Sequence, residues 1–163
     1  VVNLLGYSAT VYGLGFVVVS IGYMIGNFMS ARATRRFGLE RTMVMGSLGT
    51  LLAASLLAGL VWAGFVTLWA IFIPGLLAAM GIGLSLPTAQ TAAMNANPEA
   101  ADAASGVTGF LQLAFGAAAA QLVASLPTTT AIPLAGVLSV LAFLAFFTAL
   151  WCHSRSRGPN PGG

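Results

Sequence analysis

The sequence predicts an all-α integral membrane protein with five membrane-spanning helices, and three observations predict it. First, 58% of the 163 residues are hydrophobic and 6% are charged, whereas about a quarter of a soluble domain is charged. A soluble chain of this composition would expose much apolar surface to water, because small domains bury only part of their area. Second, the charges fall into short knots and leave residues 1–31, 42–98 and 103–154 free of charge. A spanning helix needs about 20 apolar residues. The first run therefore holds one span, and the second and third, at 57 and 52 residues, hold two each. Third, the apolar residues come in blocks. A β-barrel would alternate apolar and polar positions, and an open sheet would leave backbone groups unsatisfied in lipid.

Span one covers about 9–31 and contains Gly22 and Gly26 in a GxxxG pattern. The stretch "VVNLLGYS" before it reads as the end of an earlier helix. Without an initiating Met, a charged n-region or a cleavage site, the sequence reads as an internal piece of something longer. After span one comes "GNFMSARATRRFGLER", which holds five of the nine formal charges, Arg32, Arg35, Arg36, Glu40 and Arg41. Span two follows over about 42–62, with Gly46, Gly49 and Ala53 as small residues. Trp62 and Trp69 flank "AGFVTL", as indoles do at a membrane interface.

Span three covers about 65–90 and carries Pro74, Gly81, Gly83 and Pro87, each proline able to kink it. "NANPEAADAASG" opens span four. There Asn97 suits the N-cap and Pro98 the first helical position, while Glu99 and Asp102 favour the positive end of the helix dipole. Span four runs over about 103–126, with Ser105, Gly109, Gln112, Gly116 and Ala120 on one stripe of helical period. "LPTTTAIP" then breaks the chain before span five, about 132–152. Residues 153–163 read as a disordered tail.

Small residues let helix backbones approach closely in lipid. Gly22, Gly26, Gly109 and Gly116 are therefore expected at helix contacts. Orientation follows from arginine: the knot after span one has four and the tail has two, while the turns after spans two and four have none. Positive loops stay cytoplasmic. Both basic clusters then lie inside, with the C-terminus cytoplasmic. The knot reads as a cytoplasmic hinge between two helices, or simply as a positive-inside anchor. Six arginines without lysine, four of them beside spans, fit membrane orientation and anionic lipid better than nucleic acid.

No ionisable side chain falls inside a predicted span. The carboxylates are Glu40, Glu99 and Asp102, and His153 sits at a membrane edge beside Arg155. There is no carboxylate pair, no His/Cys cluster and no nucleophile with a base, so neither an enzyme nor a metal or cofactor site is expected. Cys152 has no cysteine partner. The uncharged polar residues of the spans remain, among them Tyr12 and Gln121. Amides in lipid are costly unless they face protein or water. Ser20 and Asn27 are seven apart and share a face with Tyr23 nearby, and Gln112 belongs to the small stripe. These residues are expected towards an internal cavity, or in hydrogen bonds between helices.

The three stretches "GNFMSARATRRFGLER", "GIGLSLPTAQTAAM" and "AASGVTGFLQLAFGAAAAQL" resemble the C-terminal half of a major facilitator superfamily transporter, nearest to the bicyclomycin-resistance-type drug:proton antiporters. Asn27, Arg32, Arg35, Arg36, Gly38 and Arg41 fall where that branch has its loop between helices eight and nine. Arg35 stands where the superfamily's loop signature has an Asp. Gly81, Gly83 and Pro87 match the end of helix ten. Ala104, Ser105, Gly109, Gln112, Gly116 and Ala117 match the start of helix eleven. The resemblance covers nearly the whole chain.

It implies that the five spans are helices eight to twelve of twelve, most of the C-terminal six-helix lobe. It further implies alternating access in the inner membrane of a bacterium, with small-molecule substrate and protons as partners and an N-terminal lobe outside this sequence. Spans one, three and four would line the substrate cavity with Ser20, Tyr23, Asn27, Gln90 and Gln112, and spans two and five would face lipid. Arg32, Arg35, Arg36, Gly38 and Arg41 would form the gating loop. The coupling carboxylate would lie in the N-terminal lobe, and the segment alone is expected not to transport. Two other readings remain open: a carrier of the same fold for another solute such as a sugar or metabolite, and a non-transporting membrane scaffold held by its glycine seams.

Overall fold

The computed structural model describes residues 9–65, 67–96, 98–125 and 132–156. They form five long helices: α1 (Ala9–Phe37), α2 (Leu39–Trp62), α3 (Leu68–Ala96), α4 (Ala101–Ser125) and α5 (Ile132–Ser156). A single 3-10 turn, Pro98–Ala100, precedes α4. Each helix is long and apolar enough to cross a membrane. No strand occurs among the described residues.

Several boundaries differ from the sequence reading. The arginine knot is helical: α1 continues through Arg32, Arg35 and Arg36 to Phe37. Arginine is a good helix former, so charge alone does not end the helix. At 29 residues, α1 is about 43 Å long, and the hydrocarbon core is about 30 Å. Its last turns therefore reach beyond the lipid tails, where arginine is at home.

The break is a single residue. Gly38 has φ 85° and ψ 165°, a region open essentially to glycine. Its N–H donates to the Thr34 carbonyl at 3.0 Å. The hydroxyl of Thr42, wholly buried, donates to the Gly38 carbonyl at 2.8 Å. Gly38→Ala is expected to cost about 1–3 kcal/mol, read as an earlier midpoint of SDS unfolding in mixed micelles. An unchanged midpoint would show that the hinge tolerates a side chain.

The other end of α2 is closed by Gly64, with φ 80°. The Phe65 N–H reaches the Leu60 carbonyl at 2.9 Å and the Gly64 N–H reaches Val61 at 3.1 Å. This is the paired bonding of a Schellman cap. Helix α3 begins at Leu68 rather than near residue 65 and runs on to Ala96, through both Pro74 and Pro87. Fully buried Pro74 is held by packing. Helix α4 starts with Ala101, because Pro98 opens the 3-10 turn and not the α-helix. Asn97, the expected cap, lies outside the described residues. So do 1–8, 126–131 and 157–163, including most of "LPTTTAIP". Residues 153–156 of the expected tail are helical, as the last turn of α5.

Helix α3 is central. It packs against both α2 and α1, α5 packs against α2, and α4 touches the chain chiefly through α3. The α1–α3 and α2–α3 seams are made by glycine. A Cβ on Gly22 would stand 2.6 Å from the Leu76 carbonyl oxygen, and one on Gly26 would meet the Met80 backbone. Gly46 and Gly81 face each other: a Cβ on either would lie 2.7 Å from the other's carbonyl oxygen. Small residues are what permit such approach in lipid. Hydroxyls add two ties between helices, Ser30 to the Leu84 carbonyl at 3.1 Å and Ser139 to the Ala54 carbonyl at 3.4 Å. At the arginine end, His153 Nδ1 lies 3.2 Å from Glu40 Oε2 and joins α5 to the α1–α2 hinge.

Large apolar side chains cover the outside. Phe16, Phe110 and Leu113 are 68%, 70% and 78% exposed. In water so wide an apolar surface marks an interaction site or an aggregation hazard. In lipid it is the solvated face.

Candidate functional site

Helix α3 has two open flanks beside α1, and they differ in chemistry. Helical spacing puts Ser20, Tyr23 and Asn27 on one side of the α1–α3 contact and Met29 on the other. The Met29 side is apolar: α1, α2 and α3 enclose a groove of about 380 Å³ lined by Met29, Met45, Gly49, Leu52, Leu56 and Leu84 among others. None of the five expected cavity residues lines that groove.

The polar flank carries them instead. Ser20 is exposed and donates to the Phe16 carbonyl of its own helix at 2.8 Å. Tyr23 is 38% exposed. Asn27 Nδ2 donates to the Tyr23 carbonyl at 3.1 Å. An asparagine has two N–H donors and a carbonyl acceptor, so this bond uses one of its capacities. Further along, Gln90 Nε2 of α3 donates to Gln112 Oε1 of α4 at 3.4 Å, a long bond.

The five residues thus form two groups. Gly26 lies against Met80, so Asn27 stands level with the next turn of α3, and Gln90 lies about 13 Å further towards the arginine end. One group is a polar stripe on α1, and the other is an amide pair between α3 and α4.

Helix α4 is bare. No residue of α4 whose burial is described is buried. A Cβ on Gly106, Gly109 or Gly116 would meet nothing within 4 Å. Gly109 and Gly116, expected at a helix contact, therefore have no neighbour among the described residues. The physical reason is that α4 makes few contacts with the other helices.

The arginines surround the hinge. Arg32 stacks over the Phe28 ring at 3.9 Å and Arg36 lies 5.4 Å from the Phe37 ring. Arg35 and Arg41 are exposed. Among the described residues none of these four pairs with a carboxylate. No group of three or more potential metal-ligating side chains occurs among the described residues.

Sequence reasoning missed two contacts. The His153–Glu40 pair joins positions 113 residues apart, and no local pattern announces it. The Gly46–Gly81 seam was half visible, since both glycines stand out in their spans while their pairing does not.

The class defined by these features is an α-helical membrane protein with five potential spans, a glycine-packed centre and one amide-bearing flank. No family model, curated protein or solved structure matches the chain.

Proposed function

We propose that this chain is most of one lobe of a major-facilitator-type transporter, exporting drug-like small molecules by proton antiport with alternating access. The observation that carries the reading is the amide flank. Ser20, Tyr23 and Asn27 share a face of α1, and Gln90 bonds Gln112 between α3 and α4; all five are partly or fully exposed, in helices otherwise covered with apolar side chains. The bonds of Ser20, Asn27, Gln90 and Gln112 leave part of their hydrogen-bonding capacity unused, and in lipid a wholly unpartnered amide or hydroxyl costs about 4–8 kcal/mol by the harshest transfer scales. A water-filled path or a second lobe opposite that flank removes the cost.

The bareness of α4 supports the same arrangement, because its open glycines suit close approach by another helix. Transporter lobes of this kind rock against each other around a site near the midplane. Ser20, Tyr23 and Asn27 would contact the solute, and the Gln90–Gln112 pair would lie nearer the cytoplasmic mouth. Arg32, Arg35, Arg36 and Arg41, grouped around the single-residue hinge at Gly38, would act where the lobes meet the cytosol. With the carboxylates of α1–α5 confined to Glu40 and Asp102, in the first turns of α2 and α4, the proton-carrying group would belong to the other lobe.

The test is drug efflux by the full-length protein in cells. Export of structurally varied drugs that stops when the proton gradient is collapsed supports the proposal. Export that ignores the gradient, or is confined to one sugar or metabolite, moves the chain to a carrier of another solute. No solute movement at all favours a membrane scaffold.

A further inference from the structure

The apolar groove on the other flank of α3 points to a bound lipid. Its walls are Met29 of α1 and Met45, Leu52 and Leu56 of α2, and Leu84 of α3 contributes to its floor. Gly26, Gly49 and Gly81 also line it, and the Cβ position of Gly49 is uncrowded, with the Gly81 Cα its nearest outside neighbour at 3.8 Å. From Met45 to Leu56 it runs eleven residues along α2, about 16 Å. One leaflet of a bilayer is half of a core about 30 Å thick, so the groove is as long as one acyl chain is deep.

The charge above the groove selects the headgroup. On α2, Arg41, Met45, Gly49, Leu52 and Leu56 follow one another at spacings of four, four, three and four, a single helix face. On α1, Met29 and Arg36 are seven apart, again on one face. Arg41 stands about 6 Å beyond Met45 along its helix, and Arg36 about 10 Å beyond Met29. Both arginines are exposed, and neither pairs with a carboxylate among the described residues. Glu40, the nearest acid in sequence, has an oxygen 3.2 Å from His153 Nδ1 of α5. Basic residues at a membrane edge are each worth about 1 kcal/mol towards anionic lipid.

We propose that the α1–α2–α3 groove holds one acyl chain of an acidic phospholipid, whose headgroup is bound by Arg36 and Arg41. The site is independent of the transport reading. It requires only that the helices cross a membrane.

Native mass spectrometry of the full chain in mild detergent tests it, with phosphatidylglycerol and phosphatidylcholine of equal chain length added together. The wild type is expected to keep one phosphatidylglycerol in preference. Arg36→Gln with Arg41→Gln should lower that preference about 25-fold, the equivalent of about 1 kcal/mol for each arginine. Arg35→Gln removes a charge from another face of α1 and should leave the preference intact. Gly49→Leu, whose nearest outside neighbour at the Cβ position is the Gly81 Cα at 3.8 Å, fills the groove and should reduce retention of both lipids. Equal retention of the two lipids by the wild type overturns the proposal. So does the same loss in Arg35→Gln as in the double variant, because the attraction would then belong to the whole basic edge. Should Gly49→Leu keep its lipid while remaining folded, the acyl chain lies elsewhere and the groove assignment fails.

Discussion

Gly81→Ala is expected to split the centre of the molecule. A Cβ at Gly81 would stand 2.5 Å from the Thr50 hydroxyl, 2.6 Å from the Thr50 nitrogen and 2.7 Å from the Gly46 carbonyl oxygen. Two of these three atoms are backbone and cannot swing aside. The methyl group therefore forces α2 and α3 apart along a seam that also carries α5, which packs on α2. Overpacking a fitted interior costs about 1–3 kcal/mol and at times more, and this site belongs at the upper end. The readout is the SDS unfolding midpoint in mixed micelles. Gly59→Ala is the companion: it lies in the same α2 helix with nothing within 4 Å of its Cβ position. There alanine should be neutral or stabilising by up to about 1 kcal/mol, since glycine is the poorer helix former. Equal behaviour of the two variants would show that the seam is not packed as described.

Under the proposed transport reading, replacing the amides should cut efflux by the full-length protein about 10- to 100-fold without harming the fold. Among the described residues, Asn27 bonds the carbonyl of Tyr23 in its own helix, and Gln112 makes a long bond to Gln90. Neither side chain is buried. Leucine in either place is therefore expected to leave expression and helix content unchanged. In a transport path the effect is different, because solute hydrogen bonds would be lost where water has been excluded. A buried polar partner left unpaired costs about 1–3 kcal/mol, so each variant should lose about 10- to 100-fold in efflux. Phe143→Leu on exposed α5 should export normally. Unchanged efflux in Asn27→Leu and Gln112→Leu would remove the amide flank from the pathway.

The helical membrane class was legible because its cause is compositional. Charge-free runs of span length leave few alternatives in lipid. Helix ends were less legible because their causes are local and compete. Arg32, Arg35 and Arg36 look like a loop by charge and like a helix by propensity, and the helix continues until Gly38 takes a positive φ. Pro87 looks like an end and lies nine residues inside α3. For the candidate site, periodicity placed Ser20, Tyr23 and Asn27 on one face of α1, since that follows from a single helix. The meeting of Gln90 with Gln112 depends on how α4 docks, and no spacing encodes it. The glycines show the same limit. Gly22 and Gly26 pack against α3, while Gly109 and Gly116 look alike in sequence and face open space.

The most direct measurement is sidedness in intact cells. In a Cys152→Ala background, single substitutions Arg35→Cys and Phe65→Cys are treated with a membrane-impermeant maleimide; both positions are exposed. Labelling of the Phe65→Cys protein from outside, with Arg35→Cys reached only after the membrane is opened, is the predicted result. Labelling of Arg35→Cys from outside while Phe65→Cys is shielded, or of both from one side, would contradict helices that cross the bilayer with their arginine ends in the cytosol.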